Sequence, residues 1–425
     1  MSDDKKTPEL RFGGFSDEWV QQALIDILST VSNNTLSRAA LNYENGEVKN
    51  IHYGDILIKF GSFVDASNND IPFITNGSVA DYKSLLLKDG DIIFADTAED
   101  ETVGKVVEIT NSQDINVVSG LHTMAYRPKN KFSTYFLGYY LNSNAYHHRL
   151  LPLMQGIKVL SLSRSNLSKT LLHYPASLDE QTAIGNFFRT LDDTIALKKQ
   201  QHEKTQNIKK AMLEKMFPKK GENVPEIRFD GFTGAWSQRR IVDVAKIFIG
   251  LVTTMTSNYR SEGILLIRNS DIKEGYFKFD DDPIHLDVNF AEDNASRKLQ
   301  LNDIVTVHTG DVGTSAVIGE RENGSIGFAT INTRPDSEII DSNFLATFFN
   351  TVRHKNWAIQ MSTGDGRNNY NLYDFNKLYV PVPNKNEQTA IGNFFRSLDT
   401  LIEAQRQEIE KLQNIKNTLL NKMFV

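Results

Sequence analysis

The side chains of this chain that could do covalent chemistry are few and badly placed for it. His147 and His148 are adjacent, so on a helix their rings diverge and cannot share a metal ion. Asp96, Glu99, Asp100 and Glu101 have the composition a hard cation wants, but no periodicity puts them on one face. Gly104-Lys105 resembles the end of a phosphate-cradling loop, yet Val106 stands where Ser or Thr should, and no glycine lies five positions earlier. HExxH, GxSxG, a strand-borne GxGxxG and the Asn-Pro-Pro-aromatic motif of adenine-N6 methyltransferases are absent. There is no cysteine, which excludes disulfides, zinc–thiolate sites and a thiol nucleophile. What remains are two polar, glycine-bearing stretches, Gln155 to Asn166 and Thr363 to Tyr370, whose side chains suit recognition rather than turnover.

The elements that must position those stretches are duplicated. Glu180 to Phe217 and Glu387 to Phe424 align without a gap at an offset of 207, with 24 of 38 positions identical. Upstream, Pro8-Glu9-Leu10-Arg11-Phe12 with Trp19 returns as Pro225-Glu226-Ile227-Arg228-Phe229 with Trp236. Ile184, Phe188, Leu191 and Ile195, like Ile391, Phe395, Leu398 and Ile402, recur at spacings of 4, 3 and 4, the helix and coiled-coil period. Each copy therefore predicts a rod of roughly 57 Å. A lone rod leaves its apolar stripe wet, so the two are expected to pair antiparallel, with these eight residues as the seam.

The chain predicts an α+β protein: two globular mixed α/β domains separated by two long antiparallel helices, with a pseudo-twofold internal repeat. The expected boundaries are 1–178 for the first domain, 179–220 for the first helix and linker, 221–384 for the second domain and 385–425 for the second helix. In the first domain, Ile56 to Phe60, Ile71 to Ile74, Leu85 to Leu87, Ile92 to Ala95 and Val103 to Ile109 read as strands, and Tyr135 to Leu151 as a helix. In the second, Ile264 to Arg268, Ile304 to His308 and Ala316 to Gly319 read as strands, and Phe344 to Trp357 as a helix. The N-terminus lacks a signal-peptide core and no run approaches a membrane span, which predicts a cytoplasmic protein. Net charge is −6, unlike that of most isolated nucleic-acid-binding domains, but Arg189 to Lys220 is locally basic, with nine Lys/Arg against four Asp/Glu.

This layout resembles the specificity subunits of type I restriction–modification systems. The resemblance rests on the repeated Glu180-Gln181-Thr182-Ala183-Ile184 and Glu387-Gln388-Thr389-Ala390-Ile391, the proline-bearing segments Leu171 to Pro175 and Leu378 to Pro383, the Pro-Glu-aliphatic-Arg-Phe openings, and strands entered through Gly90-Asp91 and Asn302-Asp303. Asn302 departs from the Gly-Asp usual there. The resemblance implies a non-catalytic, DNA-binding chain whose two target-recognition domains each read half of a split, asymmetric double-stranded DNA site. Two modification (methyltransferase) subunits would dock on its helices and restriction (translocase/nuclease) subunits would join them. No cofactor would sit on this chain; S-adenosylmethionine and ATP belong to those partners. A two-headed protein-binding scaffold without a DNA role fits the repeats equally well.

For DNA contact, major-groove edges favour Arg, Asn and Gln, and phosphates favour Lys, Ser and Thr. The candidates in the first domain are Lys59, Lys83, Lys105, Lys158, Ser161, Ser163 and Arg164. Those in the second are Arg268, Asn269, His308, Thr309, Arg334, Gly364, Arg367, Asn368, Asn369 and Tyr370. For partner docking they are Gln181, Asn186 and Arg189 with their twins Gln388, Asn393 and Arg396, polar positions expected to bury little. No metal ligand and no catalytic residue is expected.

Overall fold

A computed structural model describes residues 7–253, 255–363 and 368–425. The chain divides into two compact units. One comprises the chain up to Leu197 together with Ile409–Val425, and the other is Lys198–Glu408.

The first unit contains β1 (Val20–Ala23), β2 (Leu28–Val31), α1 (Tyr53–Ile58), β3 (Phe63–Asp65), β4 (Ile92–Ala95), β5 (Val106–Thr110), β6 (Thr123–Pro128), α2 (Phe136–Leu141) and β7 (Leu171–Tyr174), followed by the start of α3 (Leu178–Lys215). Its main sheet runs β2-β6-β4-β5-β3, antiparallel except for the parallel β3–β5 edge. β1 pairs antiparallel with β7, delivering the chain to α3. The run Ile56 to Phe60 is not the expected strand. It lies in and just after α1, because Ile56 and Phe60 are four apart and go into the core together while Ile58 points out at 86% exposure.

In the second unit follow β8 (Ser237–Arg240), β9 (Ala245–Ile249), β10 (Ile264–Arg268), β11 (Ile304–Thr306), β12 (Ser315–Val317), β13 (Ile326–Phe328), β14 (Ile331–Pro335), α4 (Ser342–Phe349), α5 (Val352–Met361), β15 (Tyr379–Val382) and most of α6 (Lys385–Lys422). The sheet β9-β14-β11-β12 is antiparallel throughout, and β8 pairs with β15 as β1 does with β7. The single helices expected over 135–151 and 344–357 are each broken. Ser143 and Thr351 cap a new helix there, each accepting a backbone N–H from three residues on. The preceding Asn142 and Asn350 turn back, each side-chain amide exchanging two hydrogen bonds of 2.8–3.0 Å with the backbone of Val106 and Ser315 respectively.

Each unit joins the start of one long helix to the end of the other, antiparallel. In the first, Asp192 meets Lys416 at 2.5 Å and Phe188 stacks on Phe424. Phe424 also reaches Trp19, Phe136 and Tyr140. In the second, Lys209 meets Asp399 at 2.5 Å, and Phe217 packs among Trp236, Phe344, Phe348 and Phe395. Ile184, Phe188, Ile391 and Phe395 are thus buried in the cores of their own globular domains as well as against the opposite helix end. Ile195 is buried, while Leu191, Leu398 and Ile402 are half-buried.

The repeated motifs meet one another. Arg11 holds Glu180 bidentately at 2.5 and 2.7 Å, and Arg228 holds Glu387 at 2.6 and 2.7 Å. Phe12 lies edge-on to Phe187, and Phe229 to Phe394. The backbone N–H of Leu10 donates to Lys422, and that of Ile227 to Lys215. The strand-entry turns match as well. Gly90 and Asn302 both adopt positive φ (+83° and +71°), which explains why Asn can replace Gly there. Asp91 and Asp303 then pair bidentately with Arg127 and Arg334.

Candidate nucleic-acid interface

Both polar stretches are pinched by the same backbone closure. Gln155 and Ser161 exchange both backbone hydrogen bonds, at 2.9 and 2.8 Å, and so do Thr363 and Asn369, at 3.1 and 3.0 Å. The pairs are related by an offset of 208 and enclose five residues each, with unlike sequences. Gly364 and Arg367 lie outside the described residues. Each loop is moored to the chain leaving a central strand. Leu160–Ser161 pairs with Thr97–Ala98 beyond β4, and Asn369 bridges to Thr309 beyond β11.

At the mooring of the second loop, several expected residues come together. Thr309 Oγ1 donates to Asn369 Oδ1 at 2.7 Å and lies 2.8 Å from His308 Nδ1. Asn269 accepts the His308 N–H at 2.8 Å, and the carbonyl of Asn368 accepts from Gly310. Burial lowers the pKa of His308 and favours a neutral ring. Three other candidates have internal roles here. Tyr370 is buried against His354 and Phe375, so it anchors the loop from below. Arg334 is bound to Asp303 as Arg127 is to Asp91, a support of the sheet. Arg268 is held by Asp271 and Asp280, whose hydrogen bonds raise its pKa.

In the first unit, Lys158 is exposed on its loop. Ser163 caps the short helix Arg164–Leu167 by accepting from Asn166, and the Arg164 guanidinium lies 5.4 Å from the Tyr126 ring centre. Lys59 donates to the Tyr43 hydroxyl at 2.9 Å and pairs with Asp55, which Arg38 also holds. Lys105 donates to the Leu57 carbonyl and is half-buried, and burial lowers its pKa. Lys83 is exposed on the turn Lys83–Leu85. Arg38, Tyr43, Thr97 and His122 also lie among these groups and are not among the residues expected from the sequence. The last stacks edge-on to Tyr53 and contacts both Asp96, at 3.3 Å, and Thr97, at 3.5 Å. Aligning the strand entries would have found Thr97, because Asp96-Thr97 follows β4 as His308-Thr309 follows β11, at an offset of 212.

On the helices, Asn186, Arg189, Asn393 and Arg396 are exposed. Arg189 lies over the Tyr135 ring and 3.6 Å from Asp193. Gln181 and Gln388 are not the lightly buried positions expected. They are 2% and 1% exposed. Gln181 bonds Pro175 and Ser133, while Gln388 bonds Pro383, Ile339 and Asp341. Each Gln therefore ties the start of its helix to its own domain, and its recurrence needs no outside partner.

Residues 39–207 and 234–414 match the Type I restriction modification DNA specificity domain, and the chain belongs to that family of specificity subunits. It is 23% identical over 434 residues to a putative type I restriction enzyme MjaX specificity subunit of Methanocaldococcus jannaschii, covering 98% of this chain and 94% of the other. A 175-residue stretch is 27% identical to the EcoBI specificity subunit of Escherichia coli, covering 38% of this chain and 35% of that one. The fold is similar to the crystal structure of the type I S subunit from M. genitalium (TM-score 0.60, 15% identity, 99% of both chains). It is also similar to a chain from a study of complex assembly and conformational transition of the type I R-M system (TM-score 0.53, 17% identity, 96% and 97% covered). No helix among the described residues is long and apolar enough to cross a membrane.

Proposed function

We propose that this chain is the DNA-reading, non-catalytic subunit of a type I restriction–modification complex, working in the cytoplasm on double-stranded DNA. Each unit reads one half of a bipartite, asymmetric site through its pinched loop and the strand exit that moors it. The exposed Asn186–Arg189 and Asn393–Arg396 positions, equivalent on the two helices, dock two methyltransferase subunits, and restriction subunits complete the assembly. Within the two readers we retain Lys158, Ser161 and Arg164 on or next to the first loop, His308, Thr309, Asn368 and Asn369 at the mooring of the second, and Lys59 and Arg367 on the strength of their chemistry alone. The observation that carries the reading is the pair of loops closed by the same backbone hydrogen bonds around unlike sequences. A duplicated frame that keeps the closure of a loop and changes its letters is suited to an asymmetric site.

Methylome sequencing of cells with and without the chain tests this. The expected result is an adenine-methylated, two-part motif that disappears with the chain. An unchanged methylome, together with salt-insensitive binding to duplex DNA, would favour the two-headed protein scaffold, since phosphate contacts release counterions and weaken with salt.

A further inference from the structure

In the first recognition loop, Ile157 is 99% exposed at the tip, and Val159 two residues on is about half exposed. Its support is firm. The Gln155–Ser161 pair closes the loop below the tip, and Ser161 is itself strand-paired to Thr97. Gly156 has φ +122°, and a Cβ there would stand 1.9 Å from the Val159 carbonyl oxygen, so the turn closes tightly at its base. The result is a narrow loop, closed by one antiparallel bridge, that presents a branched apolar side chain with Lys158 next to it in sequence. The major groove of B-form DNA, about 12 Å wide, is where base edges are read most fully. Among the four bases, the apolar group in that groove is the thymine C5-methyl, and the neighbouring cation suits a flanking phosphate.

We propose that Ile157 is a specificity-determining residue that reads a thymine methyl in the half-site of the first unit, with Lys158 on the adjacent phosphate. This rests on the DNA-reading function proposed above. The test is a double-mutant cycle on the full chain in its assembled complex. Once the motif is known, each thymine of the half-site is replaced in turn by deoxyuridine, which removes the methyl alone. Binding is then compared for wild type, Ile157→Ala and Lys158→Ala. At one position, deoxyuridine should weaken wild-type binding about fourfold, the burial of one methyl, and should change Ile157→Ala binding little. Lys158→Ala should weaken all duplexes alike and keep the deoxyuridine penalty. A wild type indifferent to deoxyuridine everywhere, or a penalty that survives in Ile157→Ala at every position, would overturn the inference while leaving DNA reading intact. Absence of sequence-specific binding to any duplex would overturn both. Ile157 is exposed, so a folding defect in the variant is not expected, and retained binding to the other half-site confirms its integrity.

Discussion

The two units share a skeleton of polar and aromatic groups and differ in the loops and strands around it. Arg11–Glu180 and Arg228–Glu387, Asp91–Arg127 and Asp303–Arg334, Asn142 and Asn350, Gln181 and Gln388 occupy matching places and make matching bonds. Around that skeleton the first unit adds β3 as a fifth strand, while the sheet of the second stops at four. The pinched loops keep their closure and change their residues. The recurring buried groups hold the fold, whereas the loops proposed to read DNA are where the residues change. Buried ion pairs and side-chain amides tolerate little change, because losing one partner strands the other without water.

The sharpest way to break this equivalence is to remove the aromatic plug at each helix end. Phe424→Ala should loosen the first unit and Phe217→Ala the second, each by about 3–5 kcal/mol. Hydrogen exchange read by mass spectrometry should rise in α2 and β7 for the former, and in α4 and β15 for the latter. Equal acceleration in both units by either variant would contradict the division. A smaller effect is expected from the motif-to-motif ion pairs. Arg11→Ala and Arg228→Ala each leave a buried glutamate unpaired, at a cost of about 3 kcal/mol, the low end for a broken buried pair because each guanidinium keeps some water. The two values, from denaturant unfolding, should agree within the error of the method. A large inequality would show that Trp19, whose Nε1 lies 3.3 Å from Glu180 Oε1, carries a share that the second unit lacks.

The parts legible from sequence were those whose pattern is local and long. The 3.6-residue period, unbroken by proline, gave both rods to within two residues of Leu178–Lys215 and Lys385–Lys422. Ile92–Ala95 and Ile264–Arg268 are legible as strands because short, mostly apolar runs sit between turn residues. Ile56 to Phe60 was misread because five apolar-rich residues cannot distinguish a helix turn from a strand. The site was less legible. Loop positions and their correspondence were visible, but Arg334, Arg268 and Tyr370 offer the right chemistry for DNA and are engaged in tertiary contacts that only folding creates. Gln181 was misjudged for the same reason. Its partners, Pro175 and Ser133, come from the loop before the helix and from 48 positions away.

The smallest effect separates the units by the sign of their response to pH. In the first, Glu108 on β5 is fully enclosed, and its carboxylate accepts from Tyr135 N–H at 2.7 Å and Gly138 N–H at 2.9 Å, at the start of α2. Burial pushes its pKa up to about 7 against those two donors. The matching position in the second unit is Val317, which cannot titrate. There the enclosed group is His354, pushed down to about 4 by burial, with Nδ1 held 2.7 Å from the Phe349 carbonyl. An acid whose pKa rises on folding contributes stability that is full below its usual 4.5 and is lost as pH climbs toward 7. A base whose pKa falls contributes stability that is full above its usual 6.5 and is lost as pH drops through 4. Between about pH 4.5 and 6.5 the two groups therefore pull their units in opposite directions. Asp399, raised by burial and opposed by Lys209, offsets part of the histidine's effect in the second unit, so the clean readout is a variant difference. After correction for intrinsic rates, exchange in α2 should increase from pH 5 to 7 in the wild type. Glu108→Gln should flatten that rise and leave α5 unchanged, because the amide stays neutral throughout. A wild-type profile in α2 that is already flat, or one that Glu108→Gln leaves sloping, would mean that Glu108 does not change its ionisation between pH 5 and 7.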